Sequence, residues 1–503
     1  MRSSASTVFT ALLLAAAEAF SDTADAAIVR DVVIVGGGAS GAHAAVQLRD
    51  MGKTIALVEK RDRLVSYDAA AAHQFTDGLF QGGHTETYHD PATGKNINVG
   101  VQAWNTYKNS TNFITERMNM SIMAKPQTSL TTKYVDFTTG QILHNYVAPT
   151  SMEVLAALKR YHELCEQYEH LLLPGFFDFP LPGDIPEDLT LSFRDFVDKY
   201  NISAAVPRLF ELTGMGVGDI ESSLLKKSSM NTATMYVMQA AGAPLTGIFF
   251  GETSNVVPVS ADLCELYSKI GSLLGHDVLY SSTVVSSVRG ANDTGVTITV
   301  RAADGTRKRV EAKRLLLAIE PSEDNMAPFD LDESERTVFS KFRSSNVYVG
   351  AVRNPSLVVN QSLTNMPATA ESSNWTTLPL PPFNSRIDYF GQDSDLFRFL
   401  MVANTDLGTN GARDLVVDGF NKMKESGVLA ATDQMLQFAA LEDHGPMHMR
   451  VEAKHIKAGF IQAQYALQAH RSTWWTGAAF SAQFTTVLWA FNDLLLPMMV
   501  ESM

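Results

Sequence analysis

Three glycines, Gly36, Gly38 and Gly41, stand at G-x-G-x-x-G spacing, and an acidic side chain, Glu59, follows at the end of the next apolar run. This pattern suits one chemistry, the binding of a dinucleotide pyrophosphate and its ribose. The first glycine permits a tight turn. The second lets backbone approach phosphate. The third lets a helix pack closely on a strand. Ser40 lies in the same turn, and Glu59 has the charge to accept both hydroxyls of an adenosine ribose.

These residues need particular elements around them. Val32 to Val35 is a β-branched run and predicts a strand entering the turn. Ser40 to Met51 carries Ala42, Ala45, Val46 and Leu48, which predicts a helix stopped at Gly52. Its N-terminus would offer free N–H groups and a positive dipole end to phosphate. Thr54 to Val58 predicts the second strand, ending at Glu59.

Only one such fingerprint is present. Gly214 to Gly218 is glycine-rich, but Asp219 replaces the third glycine and helical sequence precedes it. One tightly held nucleotide cofactor is therefore expected. With no second site for NAD(P)H, a flavin taking electrons from substrate fits best, with oxygen or another molecule as acceptor. The chemistry expected is hydride removal from a carbon next to nitrogen, oxygen or a double bond.

The chain has 503 residues, 45% hydrophobic and 19% charged, with a formal net charge of −14. That is long enough for two or three domains. The acidic balance argues against nucleic acid or an anionic membrane surface as a main partner. Arg2, the short apolar run Val8 to Ala17 and two A-x-A sites read as a signal peptide over residues 1–26. The expected location is secreted or lumenal, with no stable membrane span. Sequons at Asn109, Asn119, Asn201, Asn292, Asn360 and Asn374 agree with that route. Cys165 and Cys264 are read either as a pair or as two buried thiols. No metal site is expected: there is no C-x-x-C, and Gly445 and Pro446 separate His444 from His448.

Further along, helical spacing runs from Ser151 to about Lys226. A helix, Ala261 to Leu274, leads into a β-meander ending at Leu315 to Ile319. Pro355 to Pro382, rich in Pro, Ser, Thr and Asn, reads as a long surface excursion. Ser385 to Ala403 reads as strand, Gly411 to Ser426 as helix, and Val487 to Val500 as a buried helix.

The chain resembles the flavin-containing amine oxidase superfamily, and within it the fungal beta-cyclopiazonate dehydrogenase group of FAD-dependent oxidoreductases. D-V-V-I-V-G-G-G-A-S-G from Asp31, G-G-H-T-E-T-Y from Gly82 and Y-A-L-Q-A-H-R-S-T-W-W-T-G from Tyr465 carry the resemblance. It implies an α/β protein: a Rossmann-type FAD-binding domain of the amine-oxidase/glutathione-reductase-like kind, with an interleaved α+β substrate domain. The expected division is FAD-binding segments 27–105, 255–330 and 456–503, a helical substrate part at 106–254 and a substrate domain at 331–455. By resemblance, Arg63, Gly82 and Gly83 line the pyrophosphate and ribityl chain. Val285 holds adenine through its backbone, and Gly477 approaches the phosphate arm.

One departure stands out. The family runs Arg-Leu-Gly-Gly-His without a break, whereas Val65 to Gln81 separates Arg63-Leu64 from Gly82 here. The segment is either a genuine insertion or a retained intron. Its codon-compatible splice borders and preserved frame favour the intron.

Tyr389 and Phe390 are candidate substrate-pocket aromatics, and His84 a candidate cofactor neighbour. No catalytic residue is assigned. The main reading is a dehydrogenase or oxidase of a small, largely apolar metabolite; in this group such oxidation can cyclise a prenylated natural product. The alternatives are a peroxide-releasing amine or amino-acid oxidase, and a non-catalytic flavoprotein.

Overall fold

The computed structural model describes residues 27–64, 84–213, 232–290, 294–370, 375–391 and 393–503. The expected signal peptide, the Val65 to Gln81 segment, Gly82, Gly83, Gly214 to Gly218, Asn292 and Asn374 lie outside these residues. The elements that build the site begin with β1 (Ile28–Val35), α1 (Ala39–Asp50), β2 (Ile55–Val58), β3 (Thr131–Asp136) and the long helix α2 (Ser151–Leu172). Next come β4 (Val278–Leu279), β5 (Ser282–Arg289), β6 (Val296–Ala302), β7 (Arg307–Leu317) and α3 (Glu333–Phe339). After them stand β8 (Arg343–Arg353), β9 (Gln361–Asn365), β10 (Phe383–Tyr389) and β11 (Phe397–Ala403). The chain closes with α4 (Gly408–Glu425), β12 (Gln437–Arg450), β13 (Thr473–Trp475) and α5 (Thr485–Glu501).

Two sheets organise these elements. In the first, the order is β4-β2-β1-β7-β6-β5, and β13 adds to β7. The strands β4, β2, β1, β7 and β13 pair in parallel, while β5 to β7 form an antiparallel meander. Val32 to Val35 and all of β2 are buried, because helices cover a parallel sheet on both faces. Such a sheet binds ligands beyond the carboxyl ends of its strands.

The second sheet runs β12-β8-β11-β10-β9-β3, with Gln141–Ile142 at its edge. From Arg386 to Asp388 and from Phe397 to Met401 the side chains alternate between its two faces. Ile387, Tyr389, Phe397, Phe399 and Met401 pack with Ala412, Val416, Phe420 and Met423 of α4 in one apolar cluster. The intervening Arg386, Asp388, Arg398 and Leu400 face a cavity. One sheet face is thus a hydrophobic core and the other a polar wall.

Pro355 to Pro382 is not simply a surface excursion. It contains β9, whose Ser362 to Asn365 are buried and paired between β10 and β3. Its polar composition disguised it, since Ser362 serves the polar wall. Strand β3 also joins this sheet, although it lies within the segment expected to be helical. Cys165 and Cys264 are both buried free thiols. No helix of the described residues is long and apolar enough to cross a membrane.

Candidate functional site

The dinucleotide turn follows β1. Gly36 holds a φ of +99°, a conformation that side chains rarely adopt. A Cβ on Gly41 would stand 1.9 Å from the Gly36 carbonyl oxygen, so only glycine allows α1 to pack this closely. A Cβ on Gly38 would meet nothing within 4 Å, so this backbone faces open space. No side chain caps α1, and its first turn carries no acid. The N–H groups of Ala39, Ser40 and Gly41 precede the first helical bond, Ala42 N–H to the Gly38 carbonyl. The helix end therefore has the open, donor-rich form that an anionic pyrophosphate fits.

Glu59 is buried at the end of β2. Its two oxygens accept from the Gly37 N–H at 2.7 Å and the Arg61 N–H at 2.8 Å. This fixes the carboxylate beside the turn and leaves lone pairs for hydroxyl donors. Distant residues brace the other side. Ser40 Oγ lies 2.6 Å from Thr476 Oγ1, which donates to Asn492 Oδ1 at 2.6 Å, and Asn492 Nδ2 donates to the Ser40 carbonyl. Gly477, at φ +109°, then opens onto space at the end of β13.

Beside this crevice lies a buried polar cluster. Arg61 Nη1 is 3.8 Å from Glu86 Oε1, while Arg61 Nη2, both Glu86 carboxylate oxygens and Glu442 Oε2 find no hydrogen-bond partner among the described residues. Burial pushes both carboxyls up, and the proximity of Glu442 raises Glu86 further. The His84 and His444 rings lie 4.9 Å apart, and burial keeps both imidazoles neutral. A cofactor rich in hydroxyls and phosphate oxygens suits this orphaned donor and acceptor set, so the residues present fit FAD.

The large cavity lies against the polar wall of the second sheet and has a volume of about 680 Å³. Gly100 to Asn105 and, at the N-terminus of α5, Phe484 and Thr485 line it. Tyr389, Phe390, Leu245 and Leu400 line its apolar parts. Asp388 accepts from Ser362 Oγ, from Arg398 Nη2 at 3.0 Å and from Arg386 Nη1 at 3.3 Å. Gln102 Oε1 accepts from Lys125 Nζ at 3.0 Å and from Arg398 Nη1 at 2.5 Å. Burial, with Arg398 and Arg386 nearby, pushes the Lys125 ammonium down to about 8. Burial likewise brings Arg386 to about 10. Burial raises the Asp388 carboxyl, but its two arginines and Ser362 outweigh that and hold it below the usual range.

The structure gathers Gly36, Gly38, Ser40, Gly41, Glu59 and Gly477 around one crevice. Arg63 is partly exposed and bonds Asp62 at 2.8 Å, whereas the neighbouring Arg61 is the buried guanidinium of that turn. Val285 lies half-buried where the β5–β6 register shifts. Tyr389 and Phe390 both line the cavity. Trp474 and Trp475 are packed in the core, Trp475 against Phe339 and Phe480.

Arg61, Lys125, Arg386, Asp388, Arg398 and Asn492 escaped the sequence reading. For three of them a signal exists. Arg386, Asp388 and Arg398 alternate with apolar residues in strands, a pattern that marks a sheet face turned to a ligand.

Comparison with known proteins agrees with this geometry. Residues 31–64 match the family model described as FAD dependent oxidoreductase. The chain is similar to the FAD-dependent oxidoreductase pigF of Monascus ruber, at 32% identity over 94% of this chain and 92% of that one. It is also similar to the beta-cyclopiazonate dehydrogenase of Aspergillus flavus, at 30% identity over 94% of each. Among solved structures, a variant of putrescine oxidase shares the fold, with a TM-score of 0.60, 15% identity, and coverage of 95% of this chain and all of that one.

Proposed function

The chain belongs to the FAD-dependent oxidoreductases, and from that premise we propose that it oxidises a small, largely apolar metabolite of secondary metabolism in the 680 Å³ cavity. The observation that carries this reading is the presence in one chain of a phosphate-ready turn and a large cavity with aromatic side chains on its lining. FAD, when bound, supplies the two-electron acceptor for a hydride. The residues do the rest. Glu59 holds ribose hydroxyls, the first turn of α1 holds pyrophosphate, and Gly38 and Gly477 let backbone approach it. Tyr389, Phe390 and Leu245 exclude water from the substrate. Lys125 Nζ, poised at about 8, can hold or release a proton inside the cavity near neutral pH. Molecular oxygen is the acceptor proposed for the closing half-reaction.

The product proposed is an electrophile captured within the same molecule, as the resemblance to the beta-cyclopiazonate dehydrogenase group implies. The location proposed is the secretory route. Asn109, Asn119, Asn201 and Asn360 are exposed, as glycan acceptors must be.

The test is an absorption spectrum of the purified protein, followed by anaerobic addition of candidate metabolites. Flavin bands near roughly 370 and 450 nm, bleached by an apolar metabolite, are the expected result. Protein without flavin, both with and without residues 65–81, would remove this reading.

A further inference from the structure

An uncharged, purely apolar substrate does not need what the cavity contains. Lys125, Arg386 and Arg398 converge on it, and among the described residues Asp388 is the one carboxylate that hydrogen-bonds any of them there. Gln102 bridges Lys125 and Arg398 through a single carbonyl oxygen. Arg208 and Glu211, also on the lining, pair at 2.9 Å, and Glu211 acts on Arg386 as well, so four cations face two carboxylates there. His448 also lines the cavity, and burial keeps it neutral. The surplus is therefore cationic.

Arg386 is the clearest part of that surplus. Its residue is only 8% exposed. A guanidinium has five N–H donors, and among the described residues this one places a single side-chain hydrogen bond, on Asp388. Burying cations without compensation is costly, by several kcal/mol on the order of each ion. A protein keeps such groups where a ligand completes them.

We propose that Lys125, Arg386 and Arg398 form a subsite for an acidic group, a carboxylate or an ionised enol, carried on an otherwise apolar substrate. This rests on the reading of the cavity as the substrate site. Planar oxygens offer the guanidinium a two-point match, and the ammonium adds a point charge. The aromatic rim of Tyr389 and Phe390 takes the apolar body. The same charges repel a protonated amine, which separates this site from that of an amine oxidase.

Three probes with one body and different heads test this: phenylbutyrate, phenylbutanol and phenylbutylamine. Calorimetry on the purified full-length protein reads the head-group preference, and absorbance reads flavin content separately. Phenylbutyrate is expected to bind at least about tenfold tighter than phenylbutanol, with phenylbutylamine weakest. Lys125→Met and Arg386→Gln should each erase that advantage while leaving phenylbutanol affinity and flavin content unchanged. Using both guards against misfolding of either. A preference for the amine, or no preference among the three, overturns the subsite. So does loss of flavin in both variants with the preference intact, because the cations would then serve the cofactor. Protein that never holds flavin removes the oxidoreductase reading instead. A flavin-bound protein that prefers the amine leaves that reading standing and removes only this one.

Discussion

Two buried arginine clusters sit on the two sheets, and they are built to opposite rules. On the first sheet, Arg289 of β5 spends its donors on protein. It bonds Glu335 at 2.6 and 2.8 Å and Asp330 at 3.0 Å, while Arg471 closes the set against Asp330. Arg289 and Glu335 have fully buried side chains, and two carboxylates meet two guanidiniums. Beside the second sheet, Arg386 and Arg398 share Asp388 at a cavity, and Lys125 joins Arg398 only through Gln102. The first cluster pins α3 and the chain before β13 onto the meander. The second is incomplete until something anionic enters. Charge balance, more than burial, separates a structural network from a binding one.

The comparison can be broken most sharply at Glu335. Glu335→Gln removes the fully buried carboxylate from Arg289, leaving it only the partly exposed Asp330, and should cost about 3–5 kcal/mol of stability, read by denaturant unfolding. The phenylbutyrate preference should not change. A stable variant with altered preference would reverse the roles of the two clusters.

Glu59→Ala comes next. Loss of a charged hydrogen-bonding group is worth about 1.5–3 kcal/mol, so FAD should bind roughly ten to one hundred fold more weakly. Flavin released during dialysis measures it.

Asp388→Asn should cost only about 1–2 kcal/mol, because its arginines open onto the cavity. It should also tighten anion binding. A loss as large as that of Glu335→Gln would make the two clusters equivalent.

The smallest effect is one of pH. Lys125 has its pKa lowered to about 8, so it is charged below and neutral above that value. The groups facing it are Arg386, Arg398 and Gln102. Phenylbutyrate affinity should therefore fall several-fold as pH rises through about 8, and Lys125→Met should flatten the profile.

The first sheet was far more legible than the second. Gly36, Gly38, Gly41 and Glu59 lie within one strand-turn-helix-strand unit, where each residue's task is set by its neighbours. Their braces, Thr476 and Asn492, come from the far end of the chain and carry no local mark. In the second sheet the alternation of Arg386 with Ile387 and Asp388 with Tyr389 is visible in the sequence. Which face meets α4 and which meets the cavity is not. Strand β9 was misread for the same reason: Ser362, Thr364 and Asn365 resemble loop residues until their polar partners are known.

By itself the sequence determined the cofactor turn, the acid beside it and the family. Those depend on local backbone geometry and on glycines at fixed offsets. Only the tertiary structure decided that Lys125, Arg386 and Arg398 meet on one cavity. Their charges come from distant parts of the chain, 273 residues apart at the extremes of Lys125 and Arg398, and their electrostatic energy depends on distance in space and on burial. Neither quantity exists until the sheets have packed.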